Sequence, residues 1–370
     1  MTLLWEDPLI ASQDESSGDE FDPLEDNVVH FMDRALATIF ASPEERGLQR
    51  RFRKHLHGMC DEAWAALLLI PLANLHTIEF THECSSHLVS PILLKAAQHQ
   101  PPFHNPGRLP FPHLHEVRAN CAWGDSYIYE SLLTPFFYFP AVRRISGSFI
   151  REDGGIMNLP LPIHRTACSV KEIAIQKVYS SDTILRWLEA SSDLEHVAFQ
   201  LSVHRDDGWT DFDASEFRKA LLLSRQTLKT LRLEVDEYFD KAVTNYQDDN
   251  EEPFGAFTDF TILQDLVIRH AHLTGQPSAT AVQDIPQFLV KMLPVCLKRL
   301  TVKDIMVDDL SDLLVMLLGL VQHRDLFCQL EQITLCPGWL DDDLIRPLRV
   351  ASEAVGISLS VLDDDDYSYD

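Results

Sequence analysis

A short hydrophobic pattern recurs along most of this chain. It consists of an apolar anchor, two free positions, an apolar residue, one free position and a third apolar residue, as in the segment from Leu228 to Leu233. The last two apolar positions alternate with period two, which predicts a short strand with one buried face. A weaker final strand is predicted over residues 357–361. The nine anchors are Leu75, Leu114, Val142, Val170, Leu194, Leu228, Leu263, Leu297 and Leu330.

The spacing of these anchors indicates a repeat. Successive anchors lie 39, 28, 28, 24, 34, 35, 34 and 33 residues apart, and segments with helical period separate them at 182–189, 215–223, 285–293 and 310–320. Strand, turn and helix at a nearly fixed length are typical of a leucine-rich-repeat solenoid, whose parallel strands line the concave surface. The sequence therefore predicts an α/β fold, a solenoid of about nine irregular strand–helix repeats of 24–39 residues. The alternative is an ordinary wound α/β domain, although wound sheets have longer and fully apolar strands.

The two ends of the chain differ from the repeat. Residues 1–27 hold nine acids and no base, which predicts an acidic disordered tail, and residues 363–370 hold five further acids in a second acidic tail. Residues 28–70 carry apolar side chains at helical spacing. We expect them to form a helical cap, because a solenoid otherwise exposes an apolar end. The solenoid is therefore predicted over residues 71–362.

Charge and composition narrow the class of function. The 370 residues include 31 Lys and Arg against 57 Asp and Glu, a formal net charge of -26, of which the two tails carry 14. We do not expect such an acidic chain to bind nucleic acid, whose phosphates require clustered Lys and Arg, and anionic membranes would repel it. Seven cysteines without a Cys-x-x-Cys pair suit reduced thiols. No signal peptide or membrane-spanning stretch is evident, so we expect an intracellular monomer, cytoplasmic or nuclear.

Catalytic and metal-binding patterns are not evident. The chain has no Gly-x-Ser-x-Gly motif, phosphate-binding loop or dinucleotide-binding fingerprint, so a non-enzymatic protein without a cofactor is predicted. Three His-x-His pairs occur, at 55 and 57, 113 and 115, and 270 and 272. No third ligand lies at a suitable spacing from any of them, so no metal site is predicted.

The strand register predicts a concave binding face at the third, fifth and seventh positions from each anchor. Six bases and five acids occupy these positions, Glu79 and Asp265 among the acids, so the face is about neutral. Arginine pairs well with carboxylates, which favours a protein or peptide partner with an acidic element. The alternative is cross-strand salt pairing that only keeps the sheet soluble. The candidate protein-binding residues are Arg118, Arg144, Arg232, Arg269, Arg299, Lys303, Glu116, Glu172 and Glu234.

The segment Trp64–Phe80 is an apolar helix pattern that leads directly into Asn-Leu-x-x-Ile-x-Phe. It resembles the first repeat of fungal F-box and leucine-rich-repeat-like proteins, as do Phe111–Val117 and Phe139–Ile145, with proline two places before the anchor. The resemblance covers roughly residues 60–362. It implies that the array selects a protein substrate for a cullin ubiquitin ligase, with an F-box docking onto a Skp1-type adaptor. Residues 1–60 lack the Leu-Pro-x-Glu-like opening of an F-box, so an interaction scaffold without a ligase connection is the alternative.

Overall fold

A computed structural model describes residues 2–5, 26–72, 74–82, 88–105, 107, 109–121, 127–152, 168–179, 181–202, 212–236, 253–275, 285–306, 309–337 and 342–362. The chain divides into two compact units, Met1–Val170 (unit 1) and Lys171–Asp370 (unit 2). Each unit combines parallel strands with helices, so the predicted α/β class is confirmed. The predicted boundaries of the helical cap, the solenoid and the C-terminal tail stay predictions.

Helices precede the repeat pattern in unit 1, as the spacing of apolar side chains in residues 28–70 predicts. They are α1 (Asp26–Ile39), α2 (Arg46–His57) and α3 (Asp61–Leu68), and a 3-10 turn lies at Pro43–Glu45. Several of the apolar positions at helical spacing, such as Met32 and Leu36 in α1, are fully buried. Amphipathic packing of this kind stabilises short helices that would be marginal alone.

The sheet of unit 1 is parallel, and four of its strands pair in the order β1-β2-β3-β5, with β4 paired to β5. Its strands are β1 (Thr2–Trp5), β2 (Thr77–His82), β3 (Glu116–Cys121), β4 (Ile128–Tyr129) and β5 (Arg144–Arg151). Between these strands lie α4 (Val89–Ala97), α5 (Glu130–Leu133) and a 3-10 segment at Thr134–Tyr138.

Strand β1 corrects the prediction of a disordered tail over residues 1–27. Residues 2–5 pair in parallel with β2, from Thr2 opposite Glu79 to Trp5 opposite His82. The acids that suggested disorder begin only at Glu6, and the sequence Thr-Leu-Leu-Trp before them is uncharged and suits a strand. Asp26 and Asn27 belong to α1. Residues 6–25 lie outside the described part of the chain, as do residues 363–370.

Two buried charged side chains connect the early helices of unit 1 to α4. Glu62 in α3 is buried, and its Oε1 accepts hydrogen bonds from the backbone N–H groups of Leu88 (2.6 Å) and Val89 (3.1 Å) at the start of α4. Lys95 in α4 is also buried and pairs with Glu45. The first turn of a helix has N–H groups without intrahelical partners, so the Glu62 carboxylate caps α4 from a distant helix.

Unit 2 holds seven described parallel strands that pair in chain order. Its strands are β6 (Glu172–Val178), β7 (His196–Leu201), β8 (Thr230–Val235), β9 (Asp265–Arg269), β10 (Arg299–Ile305), β11 (Gln332–Pro337) and β12 (Ser358–Val361). Its helices are α6 (Ser181–Ala190), α7 (Ala214–Leu221), α8 (His270–Thr274), α9 (Phe288–Met292), α10 (Leu310–Gln322) and α11 (Asp342–Ala354), with 3-10 turns at Leu222–Ser224 and Ile285–Gln287.

The hydrophobic pattern predicts the strand positions well. All ten predicted strands are present, and each of the first nine begins two residues after its anchor. The anchors and the two apolar positions that follow them are buried, as Leu228, Leu231 and Leu233 illustrate. Within the described residues, no helix is both long and apolar enough to cross a bilayer.

Candidate functional site

The predicted binding face is the side of each sheet that carries the third, fifth and seventh positions from the anchors; we call it the strand face. In β7 the residues Val197, Phe199 and Leu201 are buried, whereas Ala198 and Gln200 between them are half-buried. Strand β6 shows the same alternation, as does β8 up to Leu233. The buried side of these strands contributes to the core of unit 2, and the strand face remains partly accessible.

The strand face of unit 1 brings three predicted residues together. Glu116 lies opposite Arg144 in the register of β3 and β5. Its Oε1 is 2.9 Å from Nη2 of Arg118 and 3.5 Å from Nη1 of Arg144. Both arginines are about half exposed, at 46% and 49% of the side chain. Glu116 therefore contacts two accessible guanidinium groups, and Glu79 lies opposite Arg118 in the register of β2 and β3.

The predicted residues of unit 2 near the amino ends of the strands are also accessible. Arg299 in β10 lies opposite Asp265 in β9, and its Nε is 2.7 Å from Asp265 Oδ1. The Arg299 side chain is 58% exposed. Glu172 in β6 and Arg232 in β8 are half-buried. All four side chains, Arg299, Asp265, Glu172 and Arg232, are therefore at least partly accessible, as expected for the strand face.

Glu234, Arg269 and Lys303 do not fit the prediction of an accessible face, because each is buried. Glu234 Oε1 is 2.9 Å from Arg232 Nε, and its Oε2 accepts from Lys303 Nζ at 3.3 Å. Alternation fixes the side of the sheet on which a residue lies, but not whether that side is covered. Buried charges require partners, so this cluster is better described as an internal ion network than as an open surface.

A backbone irregularity supplies the partner of Arg269, and the sequence pattern missed it. The pairing of β10 with β11 shifts register between Val302 and Ile305, and Asp304 has a φ of 49°. Arg269 Nε donates to Asp304 Oδ2 at 2.7 Å. Strict alternation would place Asp304 on the core side of β10, whereas a bulge re-aims the side chain. A left-handed aspartate gives no distinctive sequence signal, although Asp and Asn tolerate this conformation better than most residues.

A further charge bridge lies just before the strands of unit 2. Glu195 pairs with Lys171 and accepts a hydrogen bond from Lys229 Nζ at 2.5 Å. The hydrogen bond from Lys171, followed by that from Lys229, lowers the pKa of Glu195 to about 2. These residues directly follow the anchors, a position that the predicted register left outside the face. This bridge is an example of the cross-strand salt pairing that the sequence left open as the alternative to a protein-binding face.

The histidine pairs lie in different environments. His113 and His115 are exposed, and the ring of His76 stacks on that of His113 with centroids 5.7 Å apart. His270 and His272 are buried at the carboxyl end of β9, and burial lowers the pKa of His272 to about 3. His55 and His57 belong to α2. Across the described ranges, no three His, Cys, Asp or Glu side chains are arranged to hold a metal ion.

Comparisons with known proteins add little to this geometry. No family model matches the chain, and no curated protein matches it. Among solved structures, it is similar to a protein from Bacteroides fragilis that was a Northeast Structural Genomics Consortium target. The identity is 12%, the similarity covers 80% of this chain and 67% of that chain, and the TM-score is 0.40. This likeness carries no argument about fold or function.

Proposed function

We propose that the chain is a non-enzymatic protein-interaction module of leucine-rich-repeat type that binds its partner on the strand face. The observation that carries the proposal is the alternation of burial in β6, β7 and the first half of β8, which leaves polar and small side chains partly accessible on one side. A wound α/β domain would cover both sides of its parallel sheet with helices. Parallel strands that pair in chain order, with helical segments between them, also support the repeat assignment.

The charges of unit 1 favour a partner with an acidic element. Arg118 and Arg144 both contact Glu116 and are about half exposed, so a partner carboxylate can reach their guanidinium groups from solvent. Arg299 in unit 2 already has Asp265 within 2.7 Å, so the gain there is smaller. We therefore expect the acidic element to contact the strand face of unit 1.

Affinity purification with the intact chain tests this proposal. The double variant Arg118→Glu, Arg144→Glu reverses both accessible charges, and Arg346→Glu on α11 is the matched control, because Arg346 is exposed and pairs with Asp343. We expect proteins captured by the wild type to be lost with the double variant and kept with the control. A glutamate-rich peptide should compete for the same proteins. Capture of the same proteins by all three chains, at equal yield, would contradict the proposal.

The resemblance leads to a more specific proposal, substrate recognition for a cullin ubiquitin ligase. That role needs a surface for a Skp1-type adaptor, and α1 leaves Phe31 67% exposed, which offers an apolar contact. A pull-down with purified Skp1 separates the two proposals. Binding that Phe31→Asp abolishes would support the ligase role, whereas no binding by the wild type would favour the scaffold.

A further inference from the structure

The outer edge of β2 in unit 1 is occupied by a strand that is distant in sequence. Strand β1 and helix α1 are separated by 20 residues, 6–25, that hold eight acids and no base. The described pairing with β1 covers Glu79 to His82, whereas β3 pairs with the other edge of β2 along all six residues from Thr77 to His82. The described pairing of β2 with β1 is therefore shorter than its pairing with β3.

The pairing of β1 depends mainly on the backbone, which makes the edge a general template for an extended segment. A strand edge presents a row of N–H and C=O groups that can pair with any extended chain. Side chains at alternate positions then supply the specificity. Leu3 lies in register with Phe80 of β2.

A four-residue strand at the end of a long acidic segment is easily displaced. It contributes few hydrogen bonds, each worth little net free energy, and segments with few contacts open at low free-energy cost. A partner segment with more backbone hydrogen bonds to β2 would therefore compete with β1 for the edge.

We propose that the outer edge of β2 is a strand-docking site for an extended, uncharged, apolar segment of a partner protein, bound in parallel register, and that residues 2–5 occupy this site in competition with the partner. The Thr-Leu-Leu-Trp sequence of β1 defines the chemistry of the ligand. The site does not involve Arg118 or Arg144, so this proposal can be tested separately from binding on the strand face.

The test uses the full chain with the internal competitor disabled. The double variant Leu3→Pro, Leu4→Pro removes two backbone N–H groups from β1 and should empty the edge. The matched control is Leu9→Pro, in the acidic segment. The probe is a fluorescein-labelled peptide with the sequence of residues 1–8, and the same peptide with both prolines serves as the probe control. Binding is measured by fluorescence anisotropy up to millimolar protein.

We expect the probe to bind the double variant with a Kd at least tenfold lower than that for the wild type or the Leu9→Pro chain. The probe with prolines should not bind. Hydrogen exchange gives a second measurement: amides of residues 77–82 should exchange faster in the double variant and regain protection when the probe is added. Equal affinity of the probe for all chains, or exchange that neither the substitution nor the probe changes, would overturn the proposal. So would a wild-type dimer in which these residues pair between two copies.

Discussion

His272 should make the free energy of unfolding of unit 2 depend on pH. One substitution can separate this contribution from those of the other titrating groups. Its ring lies 5.3 Å from that of Phe212, and its backbone oxygen accepts from the N–H of Phe254 at 2.7 Å. Within the described residues, Nδ1 has no hydrogen-bond partner. Burial, followed by the nearby charge of Arg269, lowers the pKa of the imidazole from 6.5 to about 3. The folded chain therefore keeps His272 neutral over a range in which the unfolded chain protonates it.

The sign and size of the effect follow from this difference. Above pH 6.5 the imidazole is neutral in both states and contributes no pH dependence. As the pH falls from 6.5 towards 3, the unfolded state binds a proton that the folded state excludes, so the free energy of unfolding falls. Each pH unit between the two pKa values is worth about 1.4 kcal/mol, so His272 alone lowers the free energy of unfolding by roughly 3 kcal/mol at pH 4.5.

The substitution His272→Phe removes the titrating group, keeps an aromatic ring beside Phe212 and leaves the backbone bond to Phe254 in place. Urea denaturation between pH 7 and pH 4.5 measures the free energy of unfolding of both chains. We expect the wild type to lose roughly 3 kcal/mol more than the variant over this range. The exposed His104, changed to Gln, is the control and should leave the wild-type dependence intact. Parallel pH profiles for the wild type and His272→Phe would refute the reasoning.

Substitutions at four other residues test the packing and the salt bridges. Glu62→Ala leaves two N–H groups at the start of α4 without their carboxylate and should cost about 2–4 kcal/mol in urea denaturation, with Glu62→Gln costing less. Gly319→Ala would place a Cβ 1.8 Å from the backbone oxygen of Pro286 and should lower stability by at least about 2 kcal/mol. Gly47→Ala, where a Cβ meets nothing within 4 Å, should instead raise stability by about 0.5–1 kcal/mol. Glu195→Gln should remove the contribution that the wild type loses as the pH falls from 4.5 to about 2, and the loss at pH 7 should stay below about 1 kcal/mol because the lysines are exposed.

The sequence was sufficient to predict the strands because their signal is local and repeated. Each anchor, such as Leu297, lies at the turn before its strand and is fully buried, so the same side-chain pattern recurs wherever the chain enters the sheet. The helices at 310–320 and 28–58 were predictable for the same reason, since their apolar positions follow helical spacing. These features need no knowledge of residues far away in the sequence.

Features that depend on distant residues were not predictable in the same way. Strand β1 exists because β2 offers it an edge, and nothing in Thr-Leu-Leu-Trp specifies that partner. The burial of Arg269 and Lys303 depends on what covers the carboxyl ends of β9 and β10, and alternation along a strand carries no such information. The pair of Arg269 with Asp304 requires a bulge in β10, which changes the side of the sheet that Asp304 faces.

The observed pairing of charges also limits the partner that the strand face can take. The chain carries a formal charge of -26, so an acid-rich partner is repelled at any distance that salt does not screen, about 8 Å at physiological ionic strength. Attraction by Arg118 and Arg144 acts mainly at contact, and Glu116 already neutralises part of their charge. A partner with one or two carboxylates gains this contact with little electrostatic repulsion. A long acidic segment is repelled by the net negative charge of the whole chain. The remaining affinity must then come from neutral contacts with uncharged positions of the strand face of unit 1, such as Thr81 and Asn120, so the geometry favours a short acidic element within a mainly neutral surface.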